Sequence, residues 1–271
     1  MRVYQLGEGT PEVAVVGGIH GDEPCGARAV ERIVADDPPV ERPVRLVVAN
    51  EAALERSVRY VDADLNRSFG DDVPEDAHEY DLARDLAEAL EGCTVLSLHS
   101  TQSYAEPFGI VNGVDGPVPD IAPHLSVAAL VDVDDDEGRL FALEATELVE
   151  VEAGRQGSDR AAENAYRLAR EFLTATGALP GETASRDVPV YRLDDRIEKP
   201  PAERYEVFAE NFAEVEAGEP FAAVDGDRLV AERPFYPVLM SAEGYEDVLG
   251  YVGDRVGVLD GDGGVVETGA D

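Results

Sequence analysis

The stretch Val13-Ala-Val-Val-Gly-Gly-Ile-His-Gly-Asp-Glu-Pro-Cys-Gly26 decides how the rest of the chain is read. Four apolar residues, Val13 to Val16, predict a buried strand, and the run from Pro24 to Ala35, with Ala, Val and Ile at helical spacing and proline in its first turn, predicts a helix. His20 and Glu23 therefore fall on a strand-to-helix loop. Gly17, Gly18 and Gly21 permit tight or left-handed backbone geometry there. In an open α/β sheet the crevice at the carboxyl ends of the strands is where ligands bind, so the loop is placed for function.

Outward from this stretch, Arg2 to Leu6 and Glu12 to Val16 read as two strands joined by a Gly/Pro turn. Val44 to Ala49 is another strand, and the strand-helix-strand order calls for a parallel sheet with a crossover helix. Arg59-Tyr-Val-Asp-Ala-Asp-Leu-Asn-Arg-Ser-Phe69 has neither alternation nor helical period and reads as an ordered loop. Glu75 to Leu90 predicts an amphipathic helix with Leu82, Leu86 and Leu90 on one face and carboxylates outside. Thr94 to His99 is a strand with His99 at its carboxyl end; Pro107 to Arg139 carries no legible pattern and is read as irregular. Glu147 to Glu152 is a further strand, and Ser158 to Thr176 a helix capped by Ser158 and stopped by Gly177. Alternation ends there. Short strands follow from Val188 (188–193, 205–209, 221–224, 235–240, 256–259), so the expected organisation is an α/β domain over residues 1–183 and a smaller, mainly β domain over 184–271.

At 271 residues the chain can bury a full core. No run is long and charge-free enough to span a bilayer and the N-terminus has no secretory pattern, which makes the cytoplasm the default expectation. Cys25 and Cys93 have no redox or metal spacing and read as small buried hydrophobes. The 22 basic and 58 acidic residues give a net charge of −36, and Lys199 is the only lysine. Such a surface repels phosphate backbones, which argues against nucleic acid and anionic membranes as partners. The acids are spread along the chain (Asp36-Asp37, Asp71-Asp72, Asp134 to Glu137, Asp194-Asp195), a pattern that resembles salt-adapted, halophilic proteins.

Of the four histidines, His20 and His99 lie at the ends of predicted strands, and His20 precedes Glu23 by three residues. Two histidines plus one carboxylate is a ligand set of catalytic zinc, with a fourth position open to water. His78 and His124 have no such setting and read as surface residues. Arg59 and Arg67 place two guanidiniums in one loop with Asn66 between them; the segment is either a surface salt-bridge loop or a clamp for a carboxylate, to which arginine presents a planar fork. Glu152 stands at a strand end before Gly154, as a surface carboxylate or as a base.

Gly-Gly-Ile-His-Gly-Asp-Glu23, the Arg59 to Phe69 segment, Leu98-His-Ser-Thr101 and Val151-Glu-Ala-Gly-Arg-Gln-Gly157 resemble, in the same order, the motifs of the aspartoacylase and succinylglutamate desuccinylase family, relatives of the zinc carboxypeptidases. The resemblance runs from about Val13 to Gly177; Phe235 to Tyr245 is similar to the late aromatic segment of aspartoacylases. It implies a zinc-carboxypeptidase-like, mixed, mainly parallel sheet flanked by helices, and one Zn2+ per chain on His20, Glu23 and His99. It further implies Glu152 as general base and proton shuttle, Arg59 polarising the scissile carbonyl, Asn66 and Arg67 holding the substrate carboxylate, and Tyr245 contacting substrate. The chain departs from the family at Asp22, where Asn is usual, and shows no family pattern between Pro107 and Leu143. The expected function is a zinc-dependent hydrolase, a deacylase cleaving the amide of a small anionic N-acyl amino acid (N-acetylaspartate- or N-succinylglutamate-like). A carboxypeptidase-type peptidase or a catalytically silent metal-binding protein on this fold are the alternatives, and a homo-oligomer stays open.

Overall fold

The computed structural model describes residues 1–70, 73–133, 140–143 and 146–267; the acidic clusters Asp71-Asp72 and Asp134 to Glu137 lie outside them. In chain order the strands and helices are β1 (Arg2–Leu6), β2 (Val13–Gly17), α1 (Cys25–Asp36), β3 (Val44–Val48), α2 (Glu51–Arg56), α3 (His78–Leu90), β4 (Thr94–Thr101), β5 (Phe108–Val111), α4 (Val118–Ile121), β6 (Leu130–Asp132), β7 (Glu147–Arg155) and α5 (Asp159–Ala175). Then come β8 (Val188–Glu198), β9 (Tyr205–Val207), β10 (Pro220–Val224), β11 (Asp227–Val230), β12 (Tyr236–Val238), β13 (Val248–Leu259) and β14 (Val265–Glu267).

An eleven-stranded sheet runs in the order β1-β3-β2-β4-β7-β5-β6-β8-β13-β12, with β14 beside β13. The β3-β2-β4-β7 centre is parallel, and β5 enters antiparallel to β7. Strand β2 shows why the layers form. Val13 and Val15 point into a core shared with α1 and α5, whereas Ala14 and Val16 point into one shared with α3. Every residue of β2 is buried, as a strand covered by helices on both faces must be. Ser158 caps α5 by accepting from Ala161 N, and Gly177 beyond its end has φ +70°.

Several expectations are corrected. The strands β1 and β2 are not paired with each other; β1 lies antiparallel on β3. Helix α3 begins at His78, three residues later than its apolar spacing suggested, and one of its glutamates, Glu79, is buried. The segment read as irregular contains β5, β6 and α4. Phe108-Gly-Ile-Val111 and Leu130-Val-Asp132 are buried on both faces and only four and three residues long, so they show no alternation to read. Strands β8 and β13 extend well beyond the predicted 188–193 and 256–259. The large sheet continues past residue 183, because β8 pairs parallel with β6 and β13 antiparallel with β8, while β9, β10 and β11 form a separate small sheet.

Candidate active site

The loop after β2 is shaped by close backbone approach more than by unusual dihedrals. Among its glycines only Gly18 has positive φ, +72°. A Cβ on Gly17 would lie 2.1 Å from the Gly26 carbonyl carbon, and one on Gly21 would lie 2.0 Å from that of Ala53, so the loop is pressed onto α1 and α2 and no larger residue fits. This delivers His20 and Glu23 beside the end of β4, where His99 stands in register with Glu152 of β7.

His20, Glu23 and His99 are all buried, and one donor atom from each lies within 4.8 Å of the other two. The Nδ1 atoms of His20 and His99 face the two Glu23 oxygens at 2.9 and 3.2 Å. Their Nε2 atoms are occupied on the far side, by Asp64 Oδ1 at 3.1 Å and by Ser97 Oγ at 3.1 Å. A partner on one ring nitrogen orients the other as a ligand, so both imidazoles present Nδ1 inward. Electrostatics agree with a cation in the gap. Burial opposes charge on His20, yet the Glu23 carboxylate and the hydrogen bonds its ring donates to Asp64 and Glu23 push it up to about 9. Burial likewise opposes ionisation of Glu23, and the two histidines hold it well below the usual range. Two imidazoles and a carboxylate converging without competing ligands fit a borderline divalent ion, which would replace the protons this cluster favours.

Around this triad is a cavity of about 650 Å³ whose lining includes every residue singled out in the sequence: His20, Glu23, His99, Glu152, Arg59, Asn66, Arg67 and Tyr245. Burial, and then Glu23, push the Glu152 carboxyl up to about 8, and its Oε2 is a buried atom without a hydrogen-bond partner among the described residues. Arg59 donates from Nη1 to Glu23 Oε1 at 3.1 Å and from Nε to Asp64 Oδ2 at 3.1 Å, which holds its guanidinium against the triad. Asn66 is buried with both ends of its amide engaged: Nδ2 donates to Glu150 Oε2 at 3.3 Å and Oδ1 accepts from Leu140 N at 3.1 Å. Arg67, by contrast, is exposed, donating from Nη1 to the Asn66 carbonyl at 2.7 Å. Tyr245 stands on the wall supplied by residues beyond 184, 41 % exposed, with burial of its phenol and the nearby Glu152 pushing its pKa up.

Sequence reasoning missed several partners. Asp64 and Ser97 orient the histidines, and Asp64 also sits in the quoted loop two residues before Asn66. Glu150 lines the cavity two residues before Glu152, and the period of a strand places both on one face.

Residues 9–128 match the family model of the succinylglutamate desuccinylase/aspartoacylase catalytic domain. No curated protein matches the chain. Among solved structures, a succinylglutamate desuccinylase/aspartoacylase from Rhodobacter sphaeroides is similar at a TM-score of 0.78 and 16% identity, over 93% of this chain and 89% of that one. The product-bound ectoine utilization protein from Ruegeria pomeroyi is similar at 0.75 and 20%, over 93% and 88%. Murine aminoacylase 3 is similar at 0.71 and 21%, over 96% and 100%. Residues 9–128, under half of the chain, thus match that catalytic-domain model, and the chain has the fold of these solved structures.

Proposed function

We propose that the protein is a zinc-dependent deacylase that hydrolyses the amide bond of a small N-acyl amino acid. The observation that carries this reading is the buried His20-Glu23-His99 cluster with Glu152, in register beside His99, lining the same cavity. A zinc ion on the three ligands would supply a Lewis acid that activates water and polarises the substrate carbonyl. Glu152 then takes the proton of the attacking water and returns it to the amide nitrogen as the carbon–nitrogen bond breaks. Arg59, held by Asp64 and Glu23, presents positive charge where the carbonyl oxygen becomes negative. Arg67 anchors the free carboxylate of the amino acid, and the buried Asn66 fixes the loop that carries it.

Glu152→Gln tests the reading. The variant should retain one zinc per chain by metal analysis and lose turnover of N-acyl amino acids by roughly three orders of magnitude or more, whereas His99→Ala should lose the metal itself. Wild-type turnover in Glu152→Gln, or full zinc occupancy in His99→Ala, would overturn the assignments.

A further inference from the structure

The floor of the cavity changes character across one strand. In register, Ser97 of β4 lies beside Glu150 of β7, Glu150 beside Ile110 of β5, and Ile110 beside Val131 of β6. Registered neighbours point to the same face of a sheet, so beyond β7 the floor turns from carboxylate to hydrocarbon. Val133 continues it, and Leu193 of β8 and Leu239, just past β12, pack against the same cluster and line the cavity. Ile110, Val131 and Val133 are buried and form the base, whereas Leu193 and Leu239 are half-buried and carry the apolar surface that a ligand can touch.

Leu239 is strained in this place. Its φ is +53°, in the left-handed region where a β-carbon crowds the backbone and which glycine or asparagine occupies far more readily. Such residues are held by what surrounds them, and they gather at ligand sites. Leu239 has the Ile110, Val131 and Val133 cluster on one side and the cavity on the other.

The charges of the wall leave this half of the cavity without a free cation. Of its three arginines, Arg59 is taken by Asp64 and Glu23, and Arg196 by Asp247 and Glu198. Asp194, beside Leu193, is paired with Arg233. Arg67 alone has no ion pair among the described residues, and the α-carboxylate claims it. The Asn66 amide that fixes its loop donates to Glu150 of β7, so the anchor stands on the β5 side of the metal ligands. An amino acid bound there turns its side chain towards β5, β6 and β8, where a second carboxylate would find hydrocarbon and no partner.

Resting on the deacylase reading, we infer that the substrate is an N-acyl amino acid with an apolar side chain of about leucine size, seated against Leu193 and Leu239, and that Leu239 is a specificity-determining residue. This departs from the dicarboxylic substrates that the family resemblance suggested.

N-acetyl-L-leucine, N-acetyl-L-asparagine and N-acetyl-L-aspartate decide the matter, because their side chains share one branched shape and differ in polarity; N-acetyl-L-alanine lacks the branch. Zinc-loaded wild type should favour the leucine derivative in kcat/KM over the alanine one by about a hundredfold, and over the asparagine and aspartate ones by at least as much. Leu239→Ala should lower the leucine-to-alanine ratio about tenfold, with Leu239→Gly, which also relieves the strain, as a second variant and thermal melts showing that each folds. A wild type that hydrolyses the asparagine or aspartate derivative as well as the leucine one overturns the inference. So does a folded Leu239→Ala that keeps the wild-type ratio, or that loses rate equally on the leucine and alanine derivatives. If neither variant folds, the wild-type ranking decides alone. Turnover of none of the four counts instead against the deacylase reading, and calorimetric binding of the four to zinc-loaded wild type then decides the pocket: tightest binding of the leucine derivative supports it, and equal or tighter binding of the aspartate derivative overturns it.

Discussion

Glu79 lies in the first turn of α3, fully buried, where its two oxygens accept from the backbone N–H groups of Val61, Asp62 and Ala63 at 2.7–3.0 Å and from the Asn50 amide at 3.0 Å. Asn50 also caps α2, so one carboxylate ties two helices to the loop that carries Arg59, Asp64, Asn66 and Arg67. Replacing it with glutamine turns an acceptor into a donor facing N–H groups and should cost about 2–3 kcal/mol, with a raised KM as the loop loosens. Burial pushes this carboxyl up, but the N–H groups of Val61, Ala63 and Asp62 and the Asn50 amide outweigh it, and its pKa falls below the ordinary 4.5. A group depressed on folding contributes fully above its unfolded pKa and loses that contribution as pH falls through the folded one. The stability gap between wild type and Glu79→Gln in urea titrations should therefore be constant near neutral pH and narrow in acid; a gap that persists in acid would show that its charge is not what the loop uses. The residue could have been found from the sequence, since 79, 82, 86 and 90 share one helical face and a carboxylate on an apolar face calls for donors.

Among elements, the loops after β4 and β12 both line the cavity, and Asn211 joins them. Its Nδ2 donates to the carbonyls of Ser103 and Met240 at 3.0 Å each, and its Oδ1 accepts from Met240 N at 2.8 Å. The next residue, Phe212, has φ +67°, a conformation that β-carbon sterics disfavour by roughly 1–2 kcal/mol. Its ring is seated against Tyr104, Phe108 and Tyr191 with centroids 5.1–5.2 Å away, which offsets the strain. Asn211→Ala leaves buried groups on two loops unpaired and should cost about 1–3 kcal/mol. Because Leu239, Ser241 and Tyr245 share the wall so anchored, KM should rise more than kcat falls; unchanged KM in a folded variant would separate the clamp from substrate binding. Nothing local announced this contact, since Asn211 and Ser103 are 108 residues apart. By contrast, His20, Glu23, His99 and Glu152 were legible, because each sits at or just beyond the end of an apolar run.

Across the whole molecule, what was legible is what local periodicity records: helices with an apolar face, strands long enough to show their length, and the loops between them. Strand order is a property of partners, so the antiparallel entry of β5 beside β7 and the return of β8 to β6 have no local mark. Net charge is a property of the whole chain that composition does record. With 58 acidic and 22 basic residues, pairing every cation would still leave 36 carboxylates in excess, so added salt acts on two opposed quantities. It weakens exposed ion pairs such as Arg2 with Glu31 and Arg32 with Glu163, which solvent already screens. It also screens the mutual repulsion of the excess carboxylates, and at about 1 M the Debye length falls to roughly 3 Å. Repulsion is the larger of the two here because the excess outnumbers the pairs that can form, so the melting temperature should rise steadily from dilute to molar potassium chloride. A melting temperature that is flat or falls across that series would mean that the exposed ion pairs, and not the surplus of acid, set the balance, and the salt-adapted reading of the surface would fall with it.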